Sequence, residues 1–340
     1  MNRRDVLTLG AIATVVGGCT PLPPGVRAPT ELWAIWSSDS KQVRSSDGFS
    51  AIAETWIALD SVSFRPTVIS FVAPRDAASG QQSPATPSSP RSARRLSVIT
   101  SFQGSRYHPD VIRGLTESSD AVAVTAGSIA SLLASSPAEG VILDFQEMTA
   151  ADLQILMDVS RAIADSARAH SAAPITMMIP AADSSGYPAR ILARVADLLL
   201  IRLFPEHGVT TPAGPIVSPS WFTRRLGQRT GEAGVNRIVA GIPADGIIWD
   251  NRGARRISYL DAVRLAREAN TPIIRDPASG NLHAVSSRDG WEVWVADHEL
   301  IERLIEEGRR IGVTRFALFG LEGADPQLLE FVREGRAPDR

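Results

Sequence analysis

The amino-acid sequence predicts an α/β fold of the (β/α)8 barrel class, with a small α+β insertion between the seventh and eighth strands. Three observations predict it. Short apolar runs alternate eight times with amphipathic segments over about 300 residues, a rhythm that favours a closed parallel barrel over an open doubly wound sheet. No glycine-rich phosphate loop follows any of these runs, so the mark of a nucleotide-binding sheet is missing. One run, Gly140-Val-Ile-Leu-Asp-Phe-Gln-Glu-Met148, ends in polar side chains and leads straight into a long helical pattern. That is how a buried parallel strand delivers functional groups to the carboxyl edge of a barrel.

The chain has 340 residues, 44% hydrophobic and 21% charged, with a formal net charge of −2. After removal of a leader this suits one large α/β domain or two ordinary ones, with ample core. Near-neutral charge and the lack of a basic stripe give no case for nucleic acid as a partner. The N-terminus reads as an export signal. Arg3-Arg4 precede an apolar run from Val6 to Val16, and Val16-Gly17-Gly18-Cys19 closes it. A positive start, a short apolar stretch and small residues make a signal peptide over residues 1–18, too short to span as a mature helix. The small residues before Cys19 resemble a bacterial lipobox, which implies cleavage there, lipidation of the thiol and membrane attachment through the lipid. Residues 2–7 resemble a twin-arginine signal, and Thr20 after the cysteine resembles the outer-membrane default. Cys19 is the only cysteine, so there is no disulfide within the chain and no multi-cysteine metal site. Residues 19–30, with four prolines, read as a tether.

The barrel proper is expected over residues 31–335. Leu32–Trp36 reads as the first strand, and Trp56–Ser63 and Thr67–Val72 as further strands. Residues 74–95 carry Ser, Pro, Gln and Ala with almost no large apolar side chain, the composition of a disordered surface insertion. Leu96–Phe102 is the next strand, followed by helical spacing over Pro109–Glu117 and Ala121–Ala134. After the Gly140 strand, Thr149 with Asp152 three residues on reads as an approximate capping box opening a helix to His170. The alternation continues with strand Ile175–Ile179, helix Pro188–Val195, strand Asp197–Phe204, helix Pro219–Thr230 and strand Arg237–Ile242. Residues 251–296 break the rhythm: helix Ser258–Ala269, then short strands around a turn at Asp276–Asn281, form the α+β insertion. Helix Asp297–Ile311, strand Arg315–Phe319 and helix Pro326–Glu334 complete the pattern.

With these elements in place, the chain resembles the family-18 glycoside hydrolases, and more closely their bacterial branch acting on peptidoglycan and related N-acetylated glycans, including spore-cortex lytic enzymes. The resemblance runs from Leu32 to Val332. It rests on Leu96–Gly104, the GVILDFQ stretch, Ala196–Phe222 with Arg202-Leu-Phe-Pro-Glu-His-Gly208, Gly214-Pro-Ile216 and Trp221-Phe222, the insertion, and Phe316–Leu321. It implies a substrate-assisted mechanism, in which the sugar's own acetamide attacks and the protein supplies one general acid. The family carries Asp-x-Asp-x-Glu on the fourth strand. Here the matching positions are Ile142, Asp144 and Gln146, so the acid is an amide. Glutamine cannot protonate a leaving oxygen, and a positioned acid is worth about 10²–10⁴-fold. Strand alternation turns Glu147, the nearest carboxylate, towards the helix layer, unless a bulge re-aims it. On the sixth strand Arg202, Phe204 and Pro205 stand where the family has Met-x-Tyr-Asp. On the eighth, Phe319 stands where a tryptophan usually floors the sugar.

These readings leave three functions open. The first is a catalytically degenerate barrel on an envelope lipoprotein, binding peptidoglycan or another N-acetylhexosamine glycan or acting as a scaffold. The second is a working glycosidase with Glu147 or Glu206 as acid. The third is a partner-binding barrel, which a salt bridge between Arg202 and Asp144 across the lumen would favour. Candidate glycan-contacting residues are Trp36, Phe102, Asp144, Gln146, Arg202, Phe204, Glu206, His207, Trp249 and Phe319; aromatic rings are included because sugars present C–H faces that stack on them. The five histidines show no metal spacing, and no motif implies a cofactor.

Overall fold

The computed structural model describes residues 30–35, 48–71, 93–104, 106–135, 138–170 and 173–334. The leader, Cys19, the tether up to residue 29, Trp36 and residues 74–92 lie outside the described residues. In chain order the elements begin with β1 (Glu31–Ile35), β2 (Ala51–Leu59), β3 (Pro66–Phe71), β4 (Arg94–Thr100), β5 (Phe102–Gln103) and β6 (Arg106–Tyr107). Helices α1 (Pro109–Leu115) and α2 (Ser119–Ala134) lead to β7 (Gly140–Asp144), α3 (Leu153–His170), β8 (Ile175–Pro180) and α4 (Ala189–Leu192). Then come β9 (Leu198–Arg202), α5 (Pro219–Ala233), β10 (Ile238–Pro243), β11 (Gly246–Asp250), β12 (Gly253–Ile257) and α6 (Tyr259–Glu268). The chain continues through β13 (Ile274–Arg275), β14 (Leu282–Ser286), β15 (Trp291–Val295), α7 (His298–Ile311), β16 (Arg315–Phe319) and α8 (Pro326–Glu334).

Eight parallel strands, in the order β1-β2-β4-β7-β8-β9-β10-β16, close on themselves where β1 pairs with both β16 and β2. The barrel is closed. Alternation along each strand sorts its side chains into two cores. Trp33, Ile35, Ala53, Val98, Ile142, Met178, Leu200, Val239 and Ala317, contributed by all eight strands, fill the lumen. Intervening residues such as Ile99, Leu143, Ile201 and Leu318 pack outward against the helices. The eighth-strand helix layer is continuous with the rest through Phe316, which lies on Gly308 of α7; a Cβ there would come within 2.5 Å of its ring.

Local chemistry moved several boundaries. The second strand begins at Ala51 and stops at Leu59, because the Asp60 carboxylate accepts from the Val62 and Ser63 amides and turns the chain. The third starts at Arg94, so the last residues of the expected 74–95 insertion are strand: Ala93 is buried, and Arg95 pairs with Glu54 at 2.6 Å. The sixth ends at Arg202 rather than Phe204, and the expected 188–195 helix is a single turn. Asp152 does cap the α3 approach. It accepts from the Thr149 amide at 2.8 Å and is clamped by Arg113, which holds its carboxyl well below the usual range.

The insertion begins earlier than the polar turn at Asn251 implies. Residues 246–257 form a hairpin, β11–β12, that joins β15, β14 and β13 in a five-stranded sheet backed by α6. Gly246 is needed there because a Cβ would sit 2.2 Å from the Trp294 carbonyl oxygen. A cluster of Asp297, His298 and Asp325 ties the insertion to α7 and α8. Asp297 pairs with Arg275 and caps α7, and Asp325 accepts from His298 at 2.7 Å. No helix among the described residues is long and apolar enough to cross a membrane.

Candidate functional site

The carboxyl end of the barrel opens into a cavity of about 400 Å³. Its floor is the end of β7. Ile142 belongs to the lumen core and Asp144, two residues on, turns inward at the rim of that core. Asp144 is 2% exposed and both its carboxylate oxygens are hydrogen-bonded. It accepts from Thr100 at 3.3 Å, Tyr107 at 3.0 Å and the Gln146 amide at 2.9 Å. Burial raises its pKa, against the pull of Arg202 and these hydrogen bonds. The Gln146 amide nitrogen also donates to the Met178 carbonyl at 2.9 Å, so its position is fixed from two sides.

Tyr107 is the hub of the floor. Its phenol donates to Asp144 and accepts from Arg202 at 3.3 Å, while its ring meets Phe102 edge-on at 5.0 Å. Burial and the Asp144 charge push the phenol up, so it stays protonated as a donor. Arg202 and Asp144 are therefore joined through a phenol, and the salt bridge that would have filled the lumen does not form. Arg202 lies 5.5 Å from the Phe204 ring, and Phe204 meets Phe319 edge-on at 5.1 Å. Gly241 makes room for Phe319: a Cβ would stand 3.1 Å from its ring.

The opposite wall comes from the links into and out of the insertion. Asp245 follows the seventh strand and Glu322 the eighth; Arg256 reaches over from β12. Asp245, 6% exposed, accepts from the Arg256 Nε at 2.6 Å, and burial with the nearby Glu322 pushes its carboxyl up to about 6 despite Arg256. Its second oxygen is buried without a partner among the described residues, as is the Trp56 indole nitrogen on the same cavity. Gly320 permits this approach, since a Cβ would lie 2.5 Å from the Asp245 carboxyl carbon. Arg256 stands 5.7 Å from the Phe204 ring, so two guanidinium groups flank one aromatic side chain.

Phe102, Asp144, Arg202, Phe204 and Phe319 of the expected residues line the cavity, with Gln146 buttressing Asp144 from behind. Glu206, His207 and Trp249 do not. Glu206 accepts from the Ser218 amide at 2.7 Å at the start of α5, and His207 packs on Gly214 with a contact to the Pro212 carbonyl. Trp249 sits on the insertion hairpin and donates to the Thr211 carbonyl at 3.2 Å. Glu147 is exposed on a left-handed turn, φ 64°, rather than directed at the helix layer. That turn is held by Tyr187, whose hydroxyl donates to the Phe145 carbonyl and accepts from the Met148 amide. Tyr187 is held in turn by Arg229, fully buried and donating to the carbonyls of Pro180, Ala181, Asp183 and Tyr187. Sequence reasoning missed Trp56, Tyr107, Asp245, Arg256 and Glu322. Only Asp245 carried a signal, a carboxylate directly after the end of a barrel strand.

The geometry can be set beside known proteins. The chain superposes on a chitinase from Chromobacterium violaceum with a TM-score of 0.74 and 18% identity, covering 91% of this chain and 100% of that one. The Bacillus cereus spore cortex-lytic enzyme SleL gives 0.72 and 16% identity, covering 93% and 76%. The family-18 likeness holds at the level of fold. In sequence, a Bacillus subtilis protein named as a sporulation-specific glycosylase, YdhD, is 20% identical over 233 residues, 62% of this chain and 53% of that protein. The chain thus spans about half the length of that curated relative. No protein-family model matches.

Proposed function

We propose that the protein is an exported lipoprotein, anchored at Cys19 to the cell envelope, whose family-18-type barrel binds an N-acetylated glycan without running the family's hydrolysis. One observation carries the second half of this reading. At the position of the family's acid stands Gln146, its amide fixed between Asp144 and the Met178 carbonyl, while Glu147 is exposed outside the cavity. The floor keeps its orienting carboxylate and aromatic walls, which serve binding, and lacks a carboxylic acid at that place on the fourth strand.

The test uses the full chain, purified in detergent, with peptidoglycan and chitooligosaccharides. Glycan pull-down with no new reducing ends is the expected result. Pull-down of neither glycan would overturn the binding reading and favour a protein partner. Anchoring is tested separately by metabolic labelling with a fatty-acid analogue, which Cys19→Ser abolishes on this reading.

Asp245 sustains a second reading, an active hydrolase with its acid on another strand. The carboxyl lines the cavity and is pushed up to about 6, within range of proton donation near neutral pH. Release of reducing ends that is lost in Asp245→Asn but kept in Glu147→Gln would establish it.

A further inference from the structure

The ring of helices around the barrel has a gap. The link from β2 to β4 carries the strand β3 and, among the described residues, no helix. Helix α2 packs on α3 along one side and borders this gap on the other. A groove of about 640 Å³ lies there, with Phe64, Arg65 and Pro66 on one wall and Val124, Ser128 and Leu132 of α2 on the other. Of the sixteen residues of α2, Asp120 alone is charged, whereas α3 exposes Asp158, Arg161, Asp165 and Arg168. The outward face of α2 is made of Ala123, Val124, Gly127 and Ser131. The hydroxyls of Ser128 and Ser131 donate to the Val124 and Gly127 carbonyls of their own helix, at 2.8 and 3.0 Å, and so turn away from solvent. Val62, 84% exposed on the turn before Ser63, and Val124, 68% exposed, are the two most exposed large apolar side chains described.

A helix that is apolar all round is ordinarily covered. Residues 73–92, which lead from β3 towards β4, contain no large apolar side chain that would fill the groove. Charge selects among the other occupants. An anionic bilayer surface is met by clustered basic residues, and Arg65 is the one basic residue on this groove. A protein face bearing charges would bury them against CH groups with no partner, which opposes binding. Each of the other described helices longer than one turn carries at least two charged residues. The helix face of this molecule that matches α2 in charge is therefore α2 itself. We infer that α2 is the interface of a symmetric dimer, packed on the α2 of a second copy about a two-fold axis near Gly127. A Cβ added at Gly127 would meet nothing within 4 Å, so a second helix has room to approach along Ala123, Gly127 and Ser131, which share one face. Asp120, about two turns away, stays at the rim of such a contact. The inference is independent of the glycan-binding reading, since α2 lines no part of the cavity.

The experiment is density-matched sedimentation of the full chain in detergent over a range of concentrations. A monomer–dimer equilibrium is expected. Gly127→Glu and Val124→Glu each place a charge in the contact and should weaken it about a hundredfold or more, the effect of one buried unpaired charge. Circular dichroism of both variants should match the unaltered chain, because neither position is packed within it. Gly127→Cys should give a disulfide-linked dimer on oxidation with copper–phenanthroline, and Asp158→Cys, on the exposed face of α3, should not. A chain that stays monomeric throughout, or a dimer unmoved by both glutamates, would overturn the inference. So would flotation of a monomeric Cys19→Ser chain with phosphatidylcholine vesicles that Val124→Glu abolishes, a result that assigns the face to a bilayer.

Discussion

The two walls of the cavity are built on opposite principles. At the end of the fourth strand the buried polar groups are tied to several partners: Asp144 has three donors, the Gln146 amide nitrogen is held from two sides, and the turn behind them is braced by Tyr187 and Arg229. At the wall formed by the insertion, Asp245 keeps an oxygen without a partner among the described residues and an elevated pKa. Such multiple bonding fixes geometry, because donors converging on one buried carboxylate leave it little freedom to move. Incomplete pairing leaves groups that a ligand or a proton can engage. The fourth strand therefore supplies a rigid platform, and the wall at the insertion supplies the adjustable chemistry.

The sharpest way to break this contrast is to remove the brace. Arg229→Met strands several backbone carbonyls at once and should cost about 3–5 kcal/mol in chemical denaturation; a cost below 1 kcal/mol would show that the platform does not depend on it. Asp144→Ala should cost about 1–3 kcal/mol and abolish glycan pull-down, since Tyr107, Thr100 and Gln146 all lose their acceptor.

On the other wall the signature is pH dependence. A carboxyl whose pKa rises from 3.8 unfolded to about 6 folded binds more protons in the native state across that window. Its contribution to stability is then greatest below about pH 4 and declines as pH rises through 6. Across the same window Asp245→Asn should flatten the stability profile by about 1–3 kcal/mol, allowing for the opposing Arg256 pair. The smallest effect expected is at Glu147. Glycine accepts a φ of 64° without strain, so Glu147→Gly should stabilise by up to about 1 kcal/mol and leave glycan binding unchanged. Loss of binding in that variant would return Glu147 to the site.

The sequence by itself determined the barrel, the place of the insertion between strands seven and eight, and the inward face of β7. Each of these follows from short-range periodicity: side chains alternate along a strand, so Ile142 and Asp144 had to share a face. The same rule misplaced Glu147, because alternation ends with the ladder at Asp144 and a left-handed turn takes over. Only the tertiary structure decided the partners. Tyr107, Asp245 and Arg256 stand 37, 101 and 112 positions from Asp144 in the chain, yet they face one cavity. Tyr107 arrives on a two-residue hairpin strand and Arg256 on a short strand whose exposed pattern marks no inward face. Closure of the barrel and docking of the insertion bring them together, and no local pattern records a contact made by closing a sheet. For the same reason the pairing of Arg202 could not be read from the chain: whether a cation in a lumen is paired depends on which side chains the other strands place within reach.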